Sequence, residues 1–213
     1  MSEFEKKRIK VGIVDLQLNN IFSIVQASKS VGFKTTIIKK NTKNYNFDMI
    51  IIPGVGAFPK AMSYLTKTRI KERLIEFSTK KKSIIFGICL GMQLLLDSSN
   101  EFQYTEGLGL IKGKVKKIRK KNVIVPHTNW NNIHLTKKKD NFLRKDIINK
   151  KLYFTHSYYC DPSDQIDICS RSNHQGFEFC SSIKKNNIFG TQFHPEKSGL
   201  AGLKILKDLI KYI

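Results

Sequence analysis

The chain has no apolar run approaching the roughly 18 residues that a membrane span requires. Residues 1–10 carry charges without the apolar stretch of a secretion signal, so a soluble, unsecreted, cytoplasmic protein is expected. Cysteine is limited to Cys89, Cys160, Cys169 and Cys180, with no C-x-x-C spacing. That pattern argues against a zinc site and a disulfide framework, and reduced thiols are expected. Repeats, linkers and low-complexity tracts are missing too. At roughly 150 residues per domain, a single domain over 1–213 is expected.

Acidic residues are scarce. Seventeen Asp and Glu stand against 38 Lys and Arg, a net charge of +21, which alone would suggest a polyanion-binding protein. The basic clusters, however, fall at 6–8, 39–40, 80–82, 116–121, 137–139, 150–151 and 184–185, in expected connections or on edge strands. They are overwhelmingly Lys, without interleaved aromatics or a helix-turn-helix. The expectation is a solvated Lys-rich surface with no nucleic-acid or membrane partner. A basic footprint for a phosphorylated ligand or an acidic partner protein stays open. With 40% hydrophobic and 26% charged residues, the chain can bury an active site.

What is there, in the first half, is alternation. An apolar β-branched run at 9–15 precedes Ile21, Ile24, Val25, Ser28 and Val31 at helical spacing, closed by Gly32. Strands are predicted at 33–38 and 48–52, the latter running into Pro53-Gly54-Val55-Gly56. From Pro59 one helix is predicted, with Met62, Leu65, Ile70, Leu74 and Phe77 along one stripe. A further strand is predicted at 83–88 and a helix starting over 92–96. Strands separated by helices imply parallel pairing in a sheet buried on both faces. From Gly109 onward strand follows strand: 110–118, 123–126, 152–160, 165–170, 177–183 and 188–193, with a hairpin turn at 184–187. This half should be mostly antiparallel, and a helix from Gly199, carrying Leu203, Leu206, Leu209, Ile210 and Ile213, should cover the sheet.

Gly87-Ile88-Cys89-Leu90-Gly91, between an apolar strand and a helix, is a nucleophile elbow with Cys in place of Ser. The helix N-terminus beneath it favours a thiolate and supplies N–H groups. A thiolate needs a base: His194 ends the last strand, and Glu196, two residues on, can hold its other ring nitrogen. The glycines of 53–56, at the same sheet edge, let backbone N–H groups approach an oxyanion, which Leu90 N–H would also face.

Together, Gly-Ile-Cys-Leu-Gly-Met-Gln (87–93), Pro-Gly-Val-Gly-Ala-Phe (53–58), Gly-Leu-Gly-Leu-Ile-x-Gly (107–113), His156-Ser157-Tyr158 and Gln-Phe-His-Pro-Glu-Lys-Ser-Gly (192–199) span nearly the whole chain. In these segments it resembles the class I glutamine amidotransferases. Within them it most resembles the glutaminase subunits of the imidazole glycerol phosphate synthases of histidine biosynthesis. The resemblance implies a flavodoxin-like α/β fold, a parallel central sheet with an antiparallel C-terminal extension. It implies Cys89, His194 and Glu196 as a triad that hydrolyses glutamine through a thioester without metal or cofactor. It also implies backbone oxyanion donors at Val55 and Leu90, and substrate contacts at Gly54, Gln93, Glu101, Ser157 and Tyr158. Asn20, Trp130 and Lys197 would meet a (β/α)₈ cyclase partner in a heterodimer, into which ammonia passes for formation of imidazole glycerol phosphate and AICAR.

Two segments depart from the family pattern. Asp15-Leu16-Gln17-Leu18-Asn19-Asn20 stands where members usually read Asp-Tyr-Gly-x-Gly-Asn, and Asn129-Trp130-Asn131 where Gly-Trp-Asn is usual. Asn tolerates left-handed backbone next best after Gly, so the turns can survive. Because both segments would face the partner, a paralogue supplying ammonia for amidination of a surface-polysaccharide sugar stays open. So does a non-catalytic or polyanion-binding interaction subunit.

Overall fold

The apolar run at 9–15 becomes strand β1 (Lys10–Val14) and the helical spacing after it becomes α1 (Phe22–Ser30), with Gly32 at φ +92° just past its end. The computed structural model describes residues 9–18, 21–80 and 82–213; the basic cluster at 6–8, Lys81, Asn19 and the expected interface residue Asn20 lie outside the described residues. β2 (Lys34–Ile38) and β3 (Met49–Gly54) follow as expected.

The helix predicted from Pro59 is two helices, α2 (Phe58–Lys67) and α3 (Ile70–Ser78). Between them the Thr68 hydroxyl donates to the Tyr64 carbonyl at 2.7 Å, and Arg69 takes a left-handed φ of 57°. The two halves of the apolar stripe still enter one core cluster, so periodicity reported the buried face and not the break.

β4 (Ile84–Cys89) passes straight into α4 (Leu90–Leu94), a five-residue helix. The helix expected over 92–96 is thus earlier and shorter, because Leu96 already belongs to β5 (Leu96–Ser99). β6 (Thr105–Glu106) and β7 (Ile111–Lys117) follow. The strand predicted at 123–126 is displaced to β8 (His127–Asn131), since Pro126 has no N–H to offer a ladder; β9 (His134–Leu135) comes next. The strand predicted at 152–160 divides at Ser157 into β10 (Leu152–His156) and β11 (Tyr158–Pro162). At 165–170 the first three residues form a 3₁₀ turn in which Asp164 accepts from Ile166 N at 3.0 Å, and β12 (Ile168–His174) starts only afterwards. β13 (Phe177–Lys185) and β14 (Ile188–Thr191) make a hairpin whose Asn186 takes φ 52°, and α5 (Gly199–Asp208) closes the chain.

The main sheet runs β2-β1-β3-β4-β14-β13-β11-β7-β5-β6. Its first five strands are parallel, in the order of a flavodoxin-like sheet. β13, β11 and β7 then continue it antiparallel, and β12 and β9 extend from β13. β10 leaves this sheet and pairs with β8 alone, carrying residues 152–156 across to the mouth of the site. Side chains alternate as a pleat requires: Ile50 and Ile52 of β3 join α2 and α3 on one face, Met49 and Ile51 join α1 and α5 on the other. The expected solvated Lys surface fails at Lys184. It is buried, paired with Asp140 and 4.9 Å from the centre of the Tyr212 ring, and burial lowers its pKa.

α5 sits hard against the turn after β14: a Cβ on Gly202 would lie 1.9 Å from the Pro195 carbonyl oxygen. Gly202→Ala should therefore lower the melting temperature, overpacking costing about 1–3 kcal/mol and exceeding the roughly 1 kcal/mol that Ala gains over Gly in a helix. A melting temperature equal to or above wild type would show that α5 can slide away from Pro195.

Candidate active site

Cys89 is the last residue of β4 and the first outside α4, with φ 54° and ψ −108°, a conformation L residues rarely adopt. Such a turn is possible only because the chain closes on itself: a Cβ on Gly91 would lie 1.6 Å from the Ile52 carbonyl oxygen, and one on Gly87 2.6 Å from the Gly91 carbonyl oxygen. The sulfur stands 3.6 Å from the Thr155 carbonyl and 3.6 Å from Gln192 Nε2.

β14 lies beside β4 in parallel register, Thr191 opposite Ile88, so the chain leaving β14 arrives at the same edge as Cys89. His194 N donates to the Tyr153 carbonyl at 2.9 Å and Ser198 Oγ to the His194 carbonyl at 2.6 Å, pinning the backbone. The ring's Nδ1 is 2.8 Å from Glu196 Oε1 in a buried pair. Its Nε2 has no hydrogen-bond partner among the described residues. Burial works against a charged ring, but the neighbouring Cys89 and Glu196 outweigh it and hold His194 up to about 10. The charged imidazolium in turn stabilises negative charge on the sulfur beside it. The other three thiols are buried, and for each of them burial outweighs the charged groups nearby. Burial pushes Cys169 up to about 12 and raises Cys160 and Cys180 as well.

Cys89 opens on a cavity of about 260 Å³, lined by Val55 and Leu90 and by Gln93, Glu101, Ser157 and Tyr158. Gly54 does not line it. It pairs with Cys89 across β3 and β4, its Cα side packed against Leu90 and Leu16. Glu101 accepts from Phe58 N at 2.7 Å, closing the N-terminus of α2; burial raises its carboxyl pKa while that N–H works the other way. Gln93 donates through Nε2 to the Tyr158 carbonyl at 2.9 Å.

Around the nucleophile stand further residues to which the sequence assigned no role of their own. His156 lines the cavity, its Nδ1 donating to the same Tyr158 carbonyl at 2.9 Å, which leaves Nε2 to accept from His127 Nδ1 at 3.1 Å. Burial brings His127 down to about 4 and His156 to about 3, so both are neutral near pH 7. Gln192, fully buried just after β14, entered the sequence analysis only as the first residue of the 192–199 segment, without a role.

Trp130 lies in β8 opposite Tyr153 of β10. It is 47% exposed, its ring edge-on to Tyr153 at 5.8 Å, while Lys197 Nζ covers the same tyrosine at 5.6 Å. That tyrosine ring is 6.2 Å from the His194 ring, so the exposed cluster lies next to the base. Among the described residues no group of three or more His, Cys, Asp or Glu could hold a metal, and no helix is long and apolar enough to cross a membrane.

The family model described as glutamine amidotransferase class-I matches residues 12–211. Similar curated proteins include the imidazole glycerol phosphate synthase subunit HisH of Caldanaerobacter subterraneus subsp. tengcongensis, 44% identical over 199 residues, 93% of this chain and 96% of that one. The protein of that name from Chlorobaculum tepidum is 36% identical over 203 residues, 95% of this chain and all of that one. Among solved structures, PurLQS from Thermotoga maritima superposes with a TM-score of 0.75 at 18% identity, covering 96% of this chain and 99% of that one. A crystal structure of a glutamine amidotransferase gives a TM-score of 0.70 at 14% identity, covering 94% and 98%. At these identities the two structures speak for the fold alone.

Proposed function

Because the chain belongs to the class I glutamine amidotransferases, we propose that it is the glutaminase subunit of an imidazole glycerol phosphate synthase and hands ammonia to a (β/α)₈ cyclase partner. The observation that carries the reading is the meeting of Cys89, in its strained elbow, with the His194–Glu196 pair beside a cavity of about 260 Å³ that can admit one amino acid. Relatives at 36–44% identity that bear the name of that subunit support the histidine branch over a surface-polysaccharide one. Four free, buried cysteines support a cytoplasmic setting.

In the proposed reaction the Cys89 thiolate adds to the side-chain amide carbon of glutamine, and the oxyanion is met by the Val55 and Leu90 N–H groups. His194, charged in the resting pair, gives its proton to the departing ammonia, leaving a γ-glutamyl thioester. Now neutral, the same ring takes a proton from the water that attacks the thioester; glutamate leaves and the thiolate beside a charged His194 is regenerated. Glu196 holds the ring in one tautomer and stabilises its charge. Gln93, Glu101, Ser157 and Tyr158 surround the glutamine, and Gly54 acts by packing the loop onto Leu90.

Ammonia is useful only if it reaches an acceptor before it escapes as ammonium, so turnover should be gated by the partner. Exposed Trp130 and Lys197, on half-buried Tyr153 beside His194, form the surface proposed to receive it, with an aromatic and a cationic anchor together. Alone, the chain should hydrolyse glutamine slowly. Adding the cyclase subunit with its phosphorylated acceptor should raise turnover about 10²- to 10³-fold, the worth of one oxyanion donor brought into line. Trp130→Ala should abolish that increase without lowering the melting temperature appreciably. A fully active isolated chain, or unfolding of Trp130→Ala, would contradict the coupling.

A further inference from the structure

Gln192 follows β14 and is wholly buried, where a side-chain amide without partners would be costly. Its two ends meet different groups. Oε1 accepts from Gln93 Nε2 at 3.3 Å, and Nε2 approaches Cys89 Sγ at 3.6 Å.

The Tyr158 carbonyl decides which way round the amides lie. A carbonyl can only accept, so Gln93 must present its NH₂ to it, as it does at 2.9 Å. The second N–H on that nitrogen is then what Gln93 offers Gln192. Gln192 can meet it only with oxygen, and is thereby obliged to turn its own NH₂ toward the sulfur. His156 Nδ1 donates to the same Tyr158 carbonyl at 2.9 Å and braces it.

Cys89 Sγ therefore stands between two neighbours of opposite character. The Thr155 carbonyl, 3.6 Å away, can bind only the protonated thiol, because it needs an S–H donor. The Gln192 amide, equally distant, can bind only as a donor and strengthens as the sulfur becomes negative. His194 supplies charge to the sulfur; Gln192 supplies direction.

We infer that Gln192 is a positioning residue of the glutaminase reaction: its amide, oriented through Gln93 by the Tyr158 carbonyl, competes with the Thr155 carbonyl for the Cys89 sulfur and holds it as an aligned thiolate. The assignment rests on the glutaminase reading above. It also links substrate binding to the nucleophile, because Gln93 lines the cavity and touches Gln192.

The test is Gln192→Glu, which keeps the length and the oxygen that receives Gln93 but removes the N–H facing the sulfur. On the full chain with its cyclase partner, kcat for glutamine should fall about 10- to 100-fold with KM changed less than about threefold, as for loss of one hydrogen bond to a charged group. The rate of Cys89 alkylation by iodoacetamide, followed by peptide mapping as a function of pH, should reach half its maximum about one unit higher than in wild type. Gln192→Met, similar in volume and without a donor or a charge, should shift the same profile upward by a smaller amount, and it decides the matter if Gln192→Glu does not fold. An unmoved alkylation profile in a folded variant overturns the assignment, even if kcat falls, because a purely structural role would lower kcat alone. Alkylation needs no glutamine turnover, so an inactive wild-type complex would sink the glutaminase reading while the profile still judged Gln192.

Discussion

Cys89→Ala is expected to fold normally and to lose glutamine hydrolysis by about 10⁶-fold, the scale on which triads respond to loss of the nucleophile. The reason is that no other thiol can substitute. Cys160, Cys169 and Cys180 are buried, and burial raises the pKa of each, whereas Cys89 opens on the cavity and has a charged histidine beside it. A glutamine analogue carrying an alkylating group should therefore label Cys89 alone, as read by peptide mapping. Turnover above about 1% of wild type in folded Cys89→Ala would place the nucleophile elsewhere.

Glu196→Gln should leave glutamine binding nearly intact and lower turnover by up to about 10⁴-fold, as loss of the orienting carboxylate does in other triads. Its pH profile is the more telling readout. In the wild type, burial opposes the charged His194 while Cys89 and Glu196 hold it up to about 10, so the imidazolium that protonates ammonia is lost only as pH rises through that value. Removing the Glu196 charge leaves burial opposed by Cys89 alone. The proton is then lost at lower pH, and the alkaline limb of kcat should move downward. A limb that stays in place, or wild-type turnover, would show that another group holds the ring.

The parts of the site that could be read from the sequence are those whose geometry is settled within a few residues. Gly87 is needed because the elbow turns the Gly91 backbone against it, a constraint within five consecutive residues, whereas Gly91 itself is demanded by the Ile52 carbonyl of the neighbouring strand. Glu196 reaches His194 across two residues in the same turn. The alternating strands and helices of the first half were legible for a related reason: a buried β-branched run or a 3.6-residue stripe is a local pattern. Where local pattern and tertiary demand diverged, the reading slipped. Nothing in the alternation of 152–160 marks the change of sheet at Ser157, because β10 and β11 differ in their partners, β8 and β7, and not in their own composition. The break at Arg69 carries neither Gly nor Pro, and Lys184 reads as surface until Asp140 and the Tyr212 ring are found around it.

By itself, then, the sequence determined the parallel α/β beginning, the antiparallel continuation, the nucleophile elbow and the His194–Glu196 pair, since each follows from sterics or periodicity along a short stretch of chain. Only the tertiary structure decided that Gln192 faces Cys89 and Gln93, that His156 and His127 brace the cavity wall, and that Trp130 packs on Tyr153 beside the base. The physical reason is that these are contacts between segments 23 to 103 residues apart, as Trp130 to Tyr153 and Cys89 to Gln192 show. Their existence depends on which strands lie side by side, and strand order is set by burying both faces of the whole sheet at once, not by any one segment's pattern.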